Sequence, residues 1–170
     1  MIQGRIKTAL AIVASVLLFS SFSLANPWDI NKLVGAQAPE FTLKDLTGRE
    51  ISLTDFQGKL VLLNFWATWC PSCKEEIPSL NRLQKRYKDR GLVVIGIASE
   101  SSLKRVKDFS NKYNIQFLIL HDSSITVTRK YSVFALPTTF LIDRRGKIVE
   151  KFIGAYRWDS KEITDIIDSY

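Results

Sequence analysis

Cys70 and Cys73 are the only cysteines in the chain, and two residues separate them. A disulfide across so short a loop takes little freedom from the unfolded chain, so it stabilises less than a bridge closing a long one. Such a pair is better read as chemistry, a dithiol that makes and breaks a disulfide by thiolate attack. Pro71 follows the first cysteine, and proline suits the first position of a helix, where a missing N–H leaves nothing unpaired. Cys70 is therefore expected in a loop entering a helix, with Cys73 in the first turn. The free N–H groups and the dipole of a helix start favour a thiolate there. Cys70 is expected as the exposed nucleophile and Cys73 as the resolving thiol that attacks the mixed disulfide. A zinc site would need two more ligands, and His121 is the only histidine. It is expected in a surface loop without a role. No metal and no cofactor are expected.

The surrounding sequence supplies the elements to hold this pair. Leu60 to Trp66 is a nearly continuous apolar run, which suits a central strand covered on both faces. A helix is expected from Pro71 to about Lys88, with Leu80, Leu83 and Tyr87 on its buried face and a kink at Pro78. Leu92 to Ala98 reads as a second buried strand and Phe117 to Leu120 as a third. Between them a helix capped by Ser101 or Ser102 should reach about Tyr113. Asp122 or Ser123 should cap a helix to Tyr131, and Asp159 one to about Ser169. Thr138–Ile142 and Lys147–Ile153 read as strands joined at Arg144-Arg145-Gly146. Upstream, Phe41, Leu43, Ile51 and Leu53 alternate with polar residues around Asp45–Gly48, a hairpin pattern. Strands alternating with helices argue for an α/β sheet, and the late hairpin adds antiparallel edges.

At the N-terminus, Arg5 and Lys7 precede an apolar run from Ala9, and Ser23 and Ala25 are small residues placed for cleavage after Ala25. Residues 1–25 are read as a signal peptide or a membrane anchor, cleavage being favoured because the run falls short of the ~20 apolar residues of a full span. Residues 26–34 are a linker and 35–170 one domain. The net charge of +7 falls to +5 once Arg5 and Lys7 are removed. The remaining basic residues are scattered, and Lys85, Arg86, Lys88 and Arg90 suit a solvated helix end. No basic–aromatic array points to nucleic acid.

Asn64 to Glu76, Ala38-Pro39-Glu40-Phe41, and Leu136 to Asp143 together resemble the TlpA/ResA-like extracytoplasmic branch of the thioredoxin superfamily. The resemblance runs from about Gly35 to the C-terminus. It implies a thioredoxin fold with an N-terminal β-hairpin and an inserted βα element, a three-layer α/β/α arrangement on a mixed sheet. It implies an exported thiol–disulfide oxidoreductase, with several members of the branch serving cytochrome c maturation. Pro137 would be cis and lie beside the cysteines, and Leu136 would offer backbone hydrogen bonds to an extended substrate. Trp69 would shape the binding surface, and Gly154 would line the same groove. Asn64 stands where cytoplasmic thioredoxins carry a buried Asp, and Glu76 matches a Glu thought to move protons for the inner thiol. Strong oxidants of this fold often place a His between the cysteines. Ser72 cannot carry that charge, so a reductant is expected, acting on exported protein disulfides and fed by a membrane electron donor. The N-terminal segment would provide any membrane tether. Two rivals are a thiol peroxidase, whose motif needs Pro and Thr where Leu63 and Ala67 stand, and a redox-inactive peptide-binding or holdase module.

Overall fold

In the computed structural model, which describes residues 33–170, seven strands form one mixed sheet in the order β2-β1-β5-β4-β3-β6-β7. The expected signal or anchor at 1–25, and the linker 26–34 except its last two residues, lie outside the described residues. The strands are β1 (Thr42–Asp45), β2 (Glu50–Ser52), β3 (Leu60–Trp66), β4 (Leu92–Ala98), β5 (Leu118–His121), β6 (Thr138–Ile142) and β7 (Ile148–Ile153). The helices are α1 (Pro71–Tyr87), α2 (Leu103–Lys112), α3 (Thr126–Lys130) and α4 (Lys161–Asp168). β3, β4 and β5 run parallel, β6 runs antiparallel to β3, and β7 antiparallel to β6.

Strand β3 is buried at all seven positions. On one face Leu60, Leu62 and Trp66 pack with Leu80, Leu83 and Tyr87 of α1, Val106 of α2 and Ile163 and Ile167 of α4. On the other, Val61, Leu63 and Phe65 pack with Val127 and Tyr131 of the α3 region and with Ala38, Phe41 and Ile51 upstream. Helices therefore cover both faces, as the three-layer α/β/α expectation requires. The period of two in a strand is what sends alternate residues of one apolar run into two separate cores.

Several element starts differ from expectation, each for a local reason. Asp159 is drawn into an ion pair with Arg82 at 2.6 Å, so Ser160 caps α4 instead, accepting from the Ile163 N–H. Asp122 does serve α3, accepting from the N–H groups of Thr126 and Thr128, but across a wider turn. The chain there puts Ile125 in the left-handed region at φ 52°. His121 is the last residue of β5, not a loop residue, and its Nε2 meets the carbonyl of Glu100.

One glycine is required by close approach. Gly96 pairs with Asn64 across β3 and β4, and a Cβ built on it would lie 2.8 Å from both the Phe117 ring and Trp66 Nε1. Both rings are nearly buried, so neither has free space to move into. Gly96→Ala is expected to lower stability by about 1–3 kcal/mol, read as an earlier urea midpoint. An unchanged midpoint would mean that the rings yield at no cost.

Candidate active site

Cys70 and Cys73 are joined in a disulfide at the end of β3, with their Cα atoms 5.4 Å apart. Trp66 ends the strand, residues 67–69 turn, and Cys70 takes the N-cap position of α1. Its sulfur accepts the Cys73 N–H at 3.2 Å, filling the place a Ser or Asp oxygen takes at an ordinary helix start. Pro71 follows at the first helical position, as its lack of an N–H allows. The Ser72 hydroxyl lies 3.5 Å from the same sulfur. Cys70 is not the exposed residue the sequence suggests. In the disulfide it is 4% exposed and Cys73 2%, because its sulfur is turned onto Cys73 and the first turn of α1. The side chain that meets solvent is Trp69, at 69%.

One turn beyond Cys73, Glu76 is buried in the same helix, at 2% exposure. Its Oε1 accepts from Asn64 Nδ2 at 2.7 Å and its Oε2 from Trp158 Nε1 at 2.9 Å. Asn64 also donates to Thr139 Oγ1 at 2.9 Å. The carboxyl thus links α1, β3, β6 and the loop before α4. Burial pushes its pKa up to about 7, against the pull of Trp158, Asn64 and the Tyr156 backbone. It also lines a groove with Glu75, Ser79, Tyr156 and Arg157. A carboxyl that titrates near neutrality and borders a groove can pass a proton in either direction.

The loop that carries Cys70 is pinned from the other side by Glu100, whose Oε2 accepts from the Thr68 hydroxyl at 2.6 Å. Burial acts to raise the Glu100 pKa, but the Thr68 and Arg105 bonds outweigh it and hold the carboxyl below its usual range. The sequence reading gives Glu100, Thr139 and Trp158 no role at the site. Nothing local marks them, since Trp158 is 82 positions from Glu76 and Glu100 is 32 from Thr68.

Pro137 immediately precedes β6, whose Thr138 pairs with Phe65 next to the strand end. Its peptide bond with Leu136 is cis. Leu136 packs against the core cluster that includes both cysteines, and the Gly154 N–H donates to the Pro137 carbonyl at 2.9 Å. Leu63 and Ala67, where a peroxidatic motif would stand, are fully buried core residues.

A Cys-x-x-Cys disulfide at the start of a helix that follows an interior strand of this mixed sheet defines a thioredoxin-fold thiol–disulfide oxidoreductase. The AhpC/TSA family matches residues 34–151, and the chain belongs to it. Within it the chain is similar to the thiol-disulfide oxidoreductase ResA of Bacillus cereus, 43% identical over 121 residues, 71% of this chain and 70% of that protein. It is similar also to the thioredoxin-like protein YneN of Bacillus subtilis, 43% identical over 71% of each chain. Among solved structures, a protein of Chlorobium tepidum described as a thiol:disulfide interchange protein DsbE superimposes with a TM-score of 0.75 at 32% identity, covering 80% of this chain and 96% of that one. StoA of Bacillus subtilis gives 0.62 at 27% identity, covering 70% and 90%.

Burial of Glu76 has a consequence for stability. The unfolded carboxyl loses its proton near pH 4.5, the folded one near 7. Between these values the folded protein holds a proton the unfolded chain has released, so stability is fully present below the window and falls as pH rises through it. Glu76→Gln removes the titration, and a flipped Asn64 amide can accept from the new amide N–H. Urea unfolding of the oxidised proteins should show the variant gaining on the parent by about 3 kcal/mol between pH 4.5 and 8. A pH-independent gap would mean that Glu76 does not titrate there.

Proposed function

We propose that this chain is an exported disulfide reductase, cycling through Cys70 and Cys73 to reduce disulfides in exported proteins. The observation that carries the direction is the set of groups around Cys70. Strong oxidants stabilise the reduced thiolate with neighbouring positive charge, which raises the potential. Here Ser72 offers a neutral hydroxyl at 3.5 Å. The nearest lysine in sequence, Lys74, lies over the Tyr113 ring at 5.0 Å from its centroid. Beyond Ser72, the helix start supplies the only other evident stabilisation, and the whole fold shares it.

In the proposed cycle the Cys70 thiolate attacks one sulfur of a substrate disulfide, and the other sulfur leaves as a thiolate that takes up a proton. Cys73 gives its proton to Glu76, one turn along the helix. Its thiolate attacks Cys70 Sγ, releasing the second substrate sulfur and closing the Cys70–Cys73 disulfide. Two electrons have passed to the substrate. A membrane thiol donor, itself oxidised, returns them by the same exchange. In this reading Leu136 and Pro137 hold an extended substrate segment beside the sulfurs, and Trp69 shapes the surface it meets. An apocytochrome haem-attachment disulfide fits as substrate, which would place the protein in cytochrome c maturation. The apolar N-terminal run supports export, by a cleaved signal or an anchor.

Trapping the mixed disulfide in a Cys73→Ser strain would identify the substrate, and recovery of cytoplasmic proteins alone would sink the export reading. Equilibration with dithiothreitol buffers is expected to give a potential nearer roughly −270 mV than −120 mV. Ser72→His should move it upward by about 30 mV for each tenfold gain in the stability of the reduced form. A parent value near the strong oxidant would recast the protein as a disulfide donor.

A further inference from the structure

Seven large hydrophobic side chains are exposed among the described residues, and five of them fall at one edge of the sheet: Trp69, Leu103, Phe134, Ile153 and Tyr156. The topology brings them together. Trp69 follows the end of β3, and Leu103 begins α2 just past the end of β4. Phe134 precedes the start of β6, which runs antiparallel to β3. Ile153 ends β7 opposite Thr138, and Tyr156 lies just beyond. The disulfide is at this same edge. The other two exposed residues belong elsewhere: Val34 precedes Gly35, which bonds to Ile148 at the far end of β7, and Tyr170 reaches Glu150.

Phe134 is the extreme member, at 92% exposure. Its solvation is not the result of a slack loop. Val133 N–H donates to the Thr128 carbonyl at 3.1 Å, and the Thr138 hydroxyl donates to the Ala135 carbonyl at 2.8 Å. Tyr131, three residues earlier, is fully buried and donates its hydroxyl to the Pro39 carbonyl. The backbone on both sides of Phe134 is thus fixed while the ring has little contact with its own chain. A held, solvated aromatic beside a reactive centre lowers the entropy cost of docking a partner. The Glu100 carboxylate at this edge is turned away from solvent, its side chain 3% exposed and paired with Arg105.

We infer that Phe134, with Trp69, selects substrates whose cysteine is flanked by an apolar or aromatic residue on an extended segment. This deepens the proposed function and rests on its reading that the disulfide exchanges with other proteins. The occupant follows from the site's own chemistry. A second cysteine must reach Cys70 Sγ, yet the Cys70 and Cys73 residues are only 4% and 2% exposed. Recessed sulfur is reached by a cysteine on a protruding strand-like segment, and the residues beside it then meet the apolar edge. Exposed apolar side chains gathered at the edge that carries the disulfide suit a protein-binding site.

The test uses the reduced mature protein and two peptide disulfides, one with Phe or Leu next to its cysteine and one with Ser and Gly. Hydroxyethyl disulfide serves as the reference for the thiol chemistry. The apolar peptide should react about tenfold faster than the polar one. Phe134→Ser should bring that ratio close to one, and Phe134→Leu should restore most of it. Equal rates for both peptides with the parent protein, or an undiminished ratio in Phe134→Ser, would overturn the inference. These single-turnover rates start from reduced protein, so they do not depend on the direction in which the protein works in the cell. A failed direction leaves the ratio standing, whereas no exchange with any disulfide would overturn both.

Discussion

A carboxyl group taken out of water loses hydration that costs several kcal/mol to forgo, unless donors replace it or it keeps its proton. Glu76 does some of each. Asn64 and Trp158 each give it one hydrogen bond, and burial still pushes its pKa up to about 7. To bring these donors to one point, the protein must place helix α1, strand β3 and the loop before α4 in fixed relation. Thr139 on β6 then holds the second Asn64 hydrogen. Four separate pieces of chain are therefore tied together at the residue one turn past Cys73.

The other requirement is a strand that can be covered twice. β3 has no polar residue facing solvent, and its only strongly polar side chain, Asn64, is spent on Glu76. With helices on both faces, the free positions for chemistry are at the strand's end, where the backbone stops pairing and the helix has not yet closed its first turn. The cysteine loop occupies that gap. Glu100 ties Thr68 to the neighbouring strand end, so the loop is held by α1 on one side and by the β4–α2 connection on the other.

Much of this was legible in the chain. The runs Leu60–Trp66 and Leu92–Ala98 have the boundaries of β3 and β4, because strands buried on both faces are continuous apolar words with polar punctuation. The cysteine pair with Pro71 marks the helix start for the same local reason. What was not legible depends on distant partners. Asp159 is an acceptable helix cap until Arg82 claims it. Trp158 looks like core packing, and nothing within its own neighbourhood says that its N–H meets a carboxyl from α1. Cys70 looked exposed because a helix-start loop is ordinarily solvated; its sulfur is turned inward by the bond to Cys73 and by the N–H it accepts. Phe134 carried no period or motif, and only its isolation from every core gives it meaning.

The electrostatics of this edge are the ground for the proposed reductive direction. Opening the disulfide at neutral pH makes a thiol that gains from ionising only if its surroundings welcome negative charge. Two carboxyl groups border the cysteine loop. Glu100 is held ionised by Thr68 and Arg105, with its own charge answered by that arginine. Glu76, near the midpoint of its titration at pH 7, repels a thiolate when ionised and gives up no net charge when protonated. Lys74, the cation adjacent in sequence, is engaged with Tyr113 on α2. The groups seen to favour a thiolate at Cys70 are the helix start and the Ser72 hydroxyl. In the proposed reductive direction, a neighbouring carboxyl that changes protonation near neutrality can take the inner thiol's proton.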